Sequence, residues 1–386
     1  MNIKLWLLIF LIIYILYITI IHNNNKKNIK FINNLKVFRK ISKNIKKNCT
    51  ILSDDNILYN KLPTWGEYMI YLKYWINTCS KTLLIFCNGI GQNLMQIPYK
   101  YISELSEYYS IVIWDYPGVG KSKGFLNSDG TSSLNFLNAS ECINEMAIKF
   151  KMKYNNIKQT IVVGYSWGGI VSQYSLKYNI IDSAIAISSG CTLCHNLPGL
   201  KNIVNVLDCN KIDHNKWLKL LFPPTTEKKQ KSLNKIEKFV LNNMYYPDKK
   251  PIFPNNVIHA QILANHTMRN TKPNYGSCKI AKDSGKLIFY IHGKSDCVID
   301  YQLSINAYKY NPNTEIRILE NCGHGCFYQN VDTIIDTIIH AVHKLNNYIP
   351  KDKYRNGSNY TCPYYKNKEY ISTCPYNASV FSGCDE

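Results

Sequence analysis

The sequence has few acidic side chains: 26 Asp and Glu stand against 46 Lys and Arg, and the formal net charge is +20. The deficit is largest in residues 22–47, which contain nine Lys or Arg and no acid. Such a balance favours an anionic partner, either a membrane or a nucleic acid. The basic stretch directly follows an apolar run, so we expect a membrane and no nucleic acid.

The chain also lacks a cleavage site after that apolar run. Leu5–Ile21 has seventeen residues and no charge, and with the residues before it is just long enough to cross a bilayer as a helix. Ile20, Ile21 and His22 disfavour a cleaved signal peptide, which needs small residues at its cleavage site. We therefore predict a single-pass anchor over residues 1–21, a basic linker over residues 22–47, and a cytosolic body.

From about Lys47 to Pro350 short apolar runs alternate with amphipathic stretches, which predicts an α/β fold with a mostly parallel sheet. The runs are rich in β-branched and aromatic residues, as buried strands are; they are residues 67–76, 82–87, 110–115, 160–164, 182–189, 286–293 and 314–319. Helices are expected at residues 97–109, 138–154, 169–179, 301–310 and 331–346.

Residues 190–285 lack a strand of comparable quality. Their amphipathic stretches, separated by prolines, predict a helical insertion with helices at residues 216–222, 228–243 and 257–268. The insertion divides the core into residues 48–189 and residues 286–350. Residues 351–386 show no periodicity and form a Cys-containing tail.

One serine stands at a corner between a strand and a helix, in the stretch Gly164-Tyr165-Ser166-Trp167-Gly168. Glycines two residues before and after the serine remove β-carbons that would clash, so Ser166 can adopt a strained turn with its hydroxyl exposed. The backbone N–H of Trp167 then lies at a helix N-terminus, where developing negative charge is stabilised. The pattern predicts a nucleophilic serine.

A nucleophilic serine needs a base and an orienting acid, and in this kind of sheet both follow the serine, each after a strand. Asp296 and His324 each lie a few residues beyond a predicted strand, and we expect them to complete a Ser-His-Asp triad. His292 ends a strand and is expected to be a hydrogen-bonded core residue. His340 and His343 are expected on the surface or in the packing of the last helix.

The tetrahedral intermediate needs a second backbone N–H donor. Residues 83–92 end an early strand in a loop that contains Gly89, Ile90 and Gly91, and this loop would present the N–H of Ile90 beside Ser166. An ordinary strand-to-helix turn is the alternative. The presence of a serine, an acid and a base elsewhere in the chain favours the oxyanion donor.

In these motifs the chain resembles the α/β-hydrolase family, specifically serine hydrolases of the esterase, lipase and monoacylglycerol-lipase kind. The likeness runs from about Lys81 to Asn346 and takes in residues 88–89, 115–122, 164–168, 292–296 and 323–325. The resemblance implies that Ser166 is the nucleophile, that His324 is the base, and that Asp296 orients the base.

The resemblance further implies that Ile90 and Trp167 are the oxyanion donors and that residues 190–285 form a lid over the site. The chain departs from the family at Asn88, where the family often has His. A serine nucleophile argues against the dehalogenase and epoxide-hydrolase branches, which use aspartate at that position.

Two motifs suggest cofactors. Residues 115–122 differ from a phosphate-binding loop in their first residue, Asp115, and no helix pattern begins at Ser122; we therefore exclude a nucleotide and assign the segment a structural role. Cys191, Cys194 and His195 match the c-type haem attachment pattern, but a cytosolic hydrolase core argues against haem. We predict no cofactor and no metal.

The fourteen cysteines are compatible with disulfides or with thiols. Several follow the carboxyl ends of strands, on the face of the predicted active site; they are Cys87, Cys191, Cys194, Cys297, Cys322 and Cys326. One hypothesis is a redox-sensitive or metal-binding cluster beside the serine. We favour the alternative, a chance grouping of small buried residues.

Together these features predict a membrane-anchored serine hydrolase that cleaves ester or thioester bonds through an acyl-enzyme. The anchor, the basic linker and an apolar group in the lid indicate a lipid-like acyl substrate; the group is Leu218, Leu220, Leu221 and Phe222. The alternative is a catalytically silent binding or scaffold protein that retains the fold.

Overall fold

The computed structural model describes residues 49–62, 66–124, 132–190, 214–222, 227–244, 255–270 and 276–347. In this part of the chain nine strands form one sheet. The strands are β1 (Ile51–Leu62), β2 (Gly66–Asn77), β3 (Thr82–Cys87), β4 (Ser110–Trp114), β5 (Lys123–Gly124), β6 (Gln159–Tyr165), β7 (Ser183–Ile187), β8 (Ile288–Gly293) and β9 (Thr314–Leu319).

The strand order is β1-β2-β4-β3-β6-β7-β8-β9, with β5 beside β2. Neighbouring strands from β4 to β9 in this order are parallel, whereas β2 is antiparallel to β1, β4 and β5. The central strands β3, β4 and β7 are buried along their whole length, as expected for parallel strands covered on both faces. The prediction of a mostly parallel sheet is confirmed.

Helices flank this sheet. They are α1 (Tyr99–Leu105), α2 (Phe136–Lys153), α3 (Trp167–Ser175), α4 (His214–Leu221), α5 (Glu227–Asn242), α6 (Asn255–Asn270), α7 (Ser277–Ser284), α8 (Gln302–Tyr310), α9 (Cys326–Gln329) and α10 (Val331–Asn346). Helix α1 packs against α10, while α3 packs against α2 and α7, and α7 against α8. Helices α4, α5, α6 and α7 lie within residues 190–285, the predicted lid.

Two strands were not predicted from the sequence. Strand β1 mixes acidic and amide side chains with apolar ones, and Asp54 and Asp55 are exposed. It lies at the edge of the sheet and pairs with β2 through its backbone, so its residue pattern is not that of a buried strand. Strand β5 has two residues and is too short to leave a pattern.

The predicted anchor over residues 1–21, the linker over residues 22–47 and the tail over residues 351–386 lie outside the described residues. Within the described residues, we find no helix with both the length and the apolarity needed to cross a membrane.

Cysteines of the described chain occur in two states. Disulfide-bonded residues are Cys49, Cys79 and Cys278, and thiols are found at Cys87, Cys142, Cys297, Cys322 and Cys326.

Candidate active site

The predicted corner at Ser166 is a strained turn. Ser166 connects β6 to α3 with φ 53° and ψ −117°, a backbone conformation that a non-glycine residue adopts only under constraint. Its N–H donates to the carbonyl of Ile187 at 2.8 Å. A β-carbon on Gly164 would lie 2.0 Å from the carbonyl oxygen of Gly168, so the turn requires glycine there.

The structure brings Ser166, His324 and Asp296 together, although they come from three separate loops. Oγ of Ser166 lies 2.9 Å from Nε2 of His324, and Nδ1 of His324 lies 2.8 Å from Oδ2 of Asp296. Because Nδ1 faces a carboxylate, it donates its proton, and Nε2 accepts the hydroxyl proton of the serine. The arrangement can draw a proton away from the serine hydroxyl.

Asp296 accepts hydrogen bonds at both oxygens. Oδ1 accepts the N–H groups of Val298 and Ile299 at 2.8 and 2.9 Å, and Oδ2 faces both His324 and His292. Burial by itself raises the pKa of Asp296, but the positive charge of His324 and the hydrogen bonds from both histidines outweigh it, and the net pKa is lowered. Asp296 is therefore held as a carboxylate.

His292 is a hydrogen-bonded core residue, as expected from the sequence. Its bond to Asp296 was not predicted. Its side chain is fully buried, and Nε2 lies 2.9 Å from Oδ2 of Asp296. Nδ1 lies 2.7 Å from the hydroxyl of Ser304. The available signal was the spacing of four residues between His292 and Asp296 just beyond a strand, which places both side chains in one turn.

The loop after β3 runs beside Ser166. A β-carbon on Gly89 would lie 3.3 Å from Cβ of Ser166. The N–H of Gly89 donates to Oε1 of Gln92 at 3.0 Å, and the N–H of Gly91 donates to Oε1 of a lid residue at 2.8 Å. The residues on either side of Ile90 are thus hydrogen-bonded, and the N–H of Ile90 stays the predicted oxyanion donor of this loop.

Trp167 begins α3, so its backbone N–H belongs to the first turn, whose donors have no partner within a helix. Its indole ring stacks on Phe136 at 4.7 Å and meets Tyr116 edge-on at 5.1 Å. The indole N–H donates to the backbone carbonyl of Gln261 at 3.3 Å. The indole ring is thus packed on two sides and hydrogen-bonded, which holds the first residue of α3 in place.

Gln261 in α6 connects the lid to both predicted oxyanion donors. Its Oε1 accepts the N–H of Gly91, next to Ile90, and its carbonyl accepts the indole N–H of Trp167. The residue is fully buried. Sequence reasoning missed Gln261 because its partners lie about 90 and 170 residues away, and no local pattern records such contacts.

The loop that carries His324 is held from the core and from the lid. The hydroxyl of Ser188 donates to the carbonyl of His324 at 2.7 Å. From the lid, the carbonyl of Leu221 accepts the N–H of Gly325 at 2.7 Å, and a β-carbon on Gly325 would lie 2.4 Å from the ring of Phe222. The loop position therefore depends on the lid as well as on the sheet.

The hydroxyl of Ser166 was expected to be exposed, and the structure corrects this. Ser166 is 5% exposed, His324 1% and Asp296 9%. Leu221 of α4 accepts the N–H of Gly325, and Gln261 of α6 accepts the indole N–H of Trp167. The three side chains are thus buried, and burial strengthens the electrostatic interactions between them.

Hydrogen bonds within residues 115–122 hold this segment in a turn. The carboxylate of Asp115 is fully buried and accepts the N–H of Leu94 at 2.8 Å and the N–H of Lys121 at 3.2 Å. The hydroxyl of Ser122 donates to the carbonyl of Asp115 at 2.7 Å. These bonds agree with the structural role expected for this segment.

The cysteines near the site are poor nucleophiles. Burial raises the pKa of Cys87 to about 12 and also raises that of Cys326, so both remain thiols at neutral pH. The described residues contain no group of three or more His, Cys, Asp or Glu able to hold a metal ion. Cys191 and Cys194 of the hypothetical cluster lie outside the described residues.

Comparison with known proteins identifies the fold. Residues 82–207 match the family described as alpha/beta hydrolase fold, and a comparison with curated proteins found no match. The structure is similar to a carboxylesterase of the thaumarchaeon Nitrososphaera gargenis (TM-score 0.58, 14% identity, 76% of this chain and 100% of the other covered). It is also similar to a thermophilic esterase of Thermogutta terrifontis (TM-score 0.58, 10% identity, 75% and 99% covered).

A peroxisomal α/β-hydrolase of Saccharomyces cerevisiae is similar as well, with a TM-score of 0.57, 13% identity, and 78% and 92% of the two chains covered. The chain therefore has the α/β-hydrolase fold, and the resemblance predicted from its motifs is confirmed.

Proposed function

We propose that this chain of α/β-hydrolase fold is a serine hydrolase that cleaves ester or thioester bonds of lipid-like acyl substrates. The observation that carries the proposal is the unbroken path of hydrogen bonds from Ser166 through His324 to Asp296, at 2.9 and 2.8 Å. These distances are short enough for general base catalysis by the imidazole.

In the first half of the reaction, Nε2 of His324 takes the hydroxyl proton while Oγ of Ser166 bonds to the acyl carbon. The carbonyl oxygen becomes an oxyanion, and the N–H groups of Ile90 and Trp167 stabilise its charge. The carboxylate of Asp296 holds the imidazolium in orientation. His324 then returns its proton to the leaving alcohol or thiol, and an acyl-enzyme remains.

In the second half, His324 takes a proton from water, whose oxygen bonds to the acyl carbon. The bond between that carbon and Oγ of Ser166 breaks, and the serine recovers its proton from the imidazolium. The products are a carboxylic acid and a regenerated enzyme. The cycle needs no group beyond these side chains and two N–H donors.

A fluorophosphonate probe tests the chemistry, because it forms a covalent bond only with an activated serine. We expect the wild-type chain to be labelled and Ser166→Ala to be unlabelled. Ser175→Ala is a matched control: Ser175 is a fully buried serine at the far end of the same helix. Absence of labelling in the folded wild-type chain would instead support the silent binding or scaffold protein.

The lipid-like character of the substrate rests on the lid. Leu220, Leu221 and Phe222 are buried at the end of α4, where Leu221 contacts Gly325 and Leu220 accepts the thiol of Cys297 at 3.7 Å. The backbones of Leu220 and Leu221 thus lie next to the loops of Asp296 and His324, and the ring of Phe222 lies beside Gly325. This apolar end of α4 suits an acyl chain.

A panel of p-nitrophenyl esters and acyl thioesters from two to sixteen carbons, below and above their micellar concentrations, tests this part. We expect kcat/KM to rise with chain length and on micelle formation. Cleavage restricted to short, water-soluble esters would contradict the lipid substrate and leave the serine chemistry intact.

The membrane anchor over residues 1–21 remains part of the proposal. Its basic flank predicts a cytosolic body, whereas the disulfide-bonded Cys79 and Cys278 favour an oxidising compartment, where such bonds persist. Protease protection of sealed membranes from expressing cells distinguishes the two faces. A body digested from the cytosolic side supports the basic flank, and a protected body supports the disulfides.

A further inference from the structure

We propose that His292 is a positioning residue for the reaction at Ser166, acting through the carboxylate of Asp296. The inference rests on the proposed function and deepens it. Sequence reasoning expected only a core histidine at this position, whereas the structure places its ring on the same carboxylate oxygen that contacts His324.

The hydrogen-bond pattern determines which nitrogen of His292 carries a proton. Nε2 lies 2.9 Å from Oδ2 of Asp296 and 2.9 Å from the carbonyl of Ile299. Both are acceptors, so Nε2 must be the donor. Nδ1 lies 2.7 Å from Oγ of Ser304, and this oxygen also lies 2.7 Å from the carbonyl of Ser189. The hydroxyl has one proton, which it donates to Nδ1 when the ring is neutral. The ring is therefore fixed at both nitrogens.

This donor completes the coordination of Asp296. The carboxylate has room for about two hydrogen bonds on each oxygen. Two backbone N–H groups occupy Oδ1, and the rings of His292 and His324 occupy Oδ2. With every position filled, the carboxylate cannot rotate without breaking a bond in a buried environment, where an unmade bond is costly. Oδ2 consequently stays aimed at Nδ1 of His324.

His292 can act as a fixed reference because it belongs to the sheet. It lies in β8, where it pairs with Ile318 of β9. The next residue, Gly293, packs so closely on the loop of His324 that a β-carbon there would lie 2.3 Å from the carbonyl of Gly323. A functional group supported by a strand is held more precisely than one supported by a loop alone.

Two substitutions of His292 by amide side chains of different length test the inference in the full chain. In His292→Gln the amide nitrogen can reach the position of Nε2 and restore the donor to Asp296, whereas in His292→Asn it reaches only the position of Nδ1. We expect His292→Asn to lower kcat by about 10- to 100-fold with KM within about twofold, as for a misplaced catalytic group. His292→Gln should recover most of that loss.

A double-mutant cycle tests whether His292 acts through Asp296. In an Asp296→Ala background, His292→Asn should cause no further loss of kcat, because the group it positions is absent. A merely structural role would give equal losses in Asn and Gln variants, or a loss that persists in the Asp296→Ala background, and either result overturns the inference.

Should the Asn variant not fold, Ser304→Ala takes its place, since it removes the partner of Nδ1 together with one contact to the carbonyl of Ser189 and leaves the ring of His292 intact. The expected result is a lower kcat with unchanged KM, and wild-type kcat would overturn the inference. A folded wild-type chain inert toward esters and fluorophosphonate would overturn the proposed function together with this inference. An active wild type whose His292→Asn variant keeps full kcat would overturn the inference alone.

Discussion

Gly168→Ala should push the loop of Ile90 away from the turn of Ser166. A β-carbon at this position would lie 2.4 Å from the carbonyl oxygens of both Cys87 and Asn88, and ordinary contact begins at 3.4 Å. The difference, 3.4 − 2.4 = 1.0 Å, is the distance by which the loop of Ile90 and the turn of Ser166 must move apart. Both contacting atoms are backbone atoms, so no side-chain rotation can relieve the clash.

A displacement of about 1 Å between a nucleophile and an oxyanion donor lowers kcat by roughly 100-fold. Overpacking at such a site costs about 1–3 kcal/mol of unfolding free energy. Steady-state kinetics with a p-nitrophenyl ester measures the first effect, and urea denaturation followed by circular dichroism measures the second. We expect Gly168→Ala to show both.

Gly285→Ala is the matched control. Gly285 ends α7 with φ +61° and has open space where a β-carbon would stand. Alanine there is strained by about 1 kcal/mol but displaces nothing, so stability should fall while kcat stays at the wild-type value. The reasoning is refuted if Gly168→Ala keeps a kcat within twofold of wild type, or if Gly285→Ala loses as much activity.

Gln261→Met should lower kcat about tenfold, because it removes the oxygen that accepts the N–H of Gly91 and holds the loop of Ile90. Leu263→Ala, on the exposed side of the same helix, should leave kcat unchanged. Steady-state kinetics of both variants tests this. The pKa of Asp296 is lower in the folded chain than its ordinary value of 3.8. Its contribution to stability is thus present above about pH 4 and lost as the pH falls further. Melting temperatures from about pH 5 to pH 3 should therefore fall less steeply in Asp296→Asn than in wild type. Mass spectrometry after iodoacetamide treatment should find Cys297 alkylated in the folded chain and buried Cys326 only after unfolding.

The sequence by itself determined the central sheet and the loops that carry the chemistry. Strand β3 is apolar from Leu83 to Cys87, and burial on both faces of a parallel strand leaves such a run as a local signal. Ser166, Asp296 and His324 could be found because each follows a strand, and parallel strands end at one edge of their sheet. The glycines two residues before and after Ser166 also predict the sharp turn at this serine.

Only the tertiary structure decided which groups support these residues and whether water reaches them. Gln261 meets Gly91 across 170 residues, and His292 meets Asp296 because the end of β8 turns its ring toward the carboxylate. The burial of Ser166 likewise has no counterpart in the local sequence pattern, from which an exposed hydroxyl was expected. The physical reason is that periodicity records which face of an element is apolar, whereas a hydrogen bond between elements depends on how they pack.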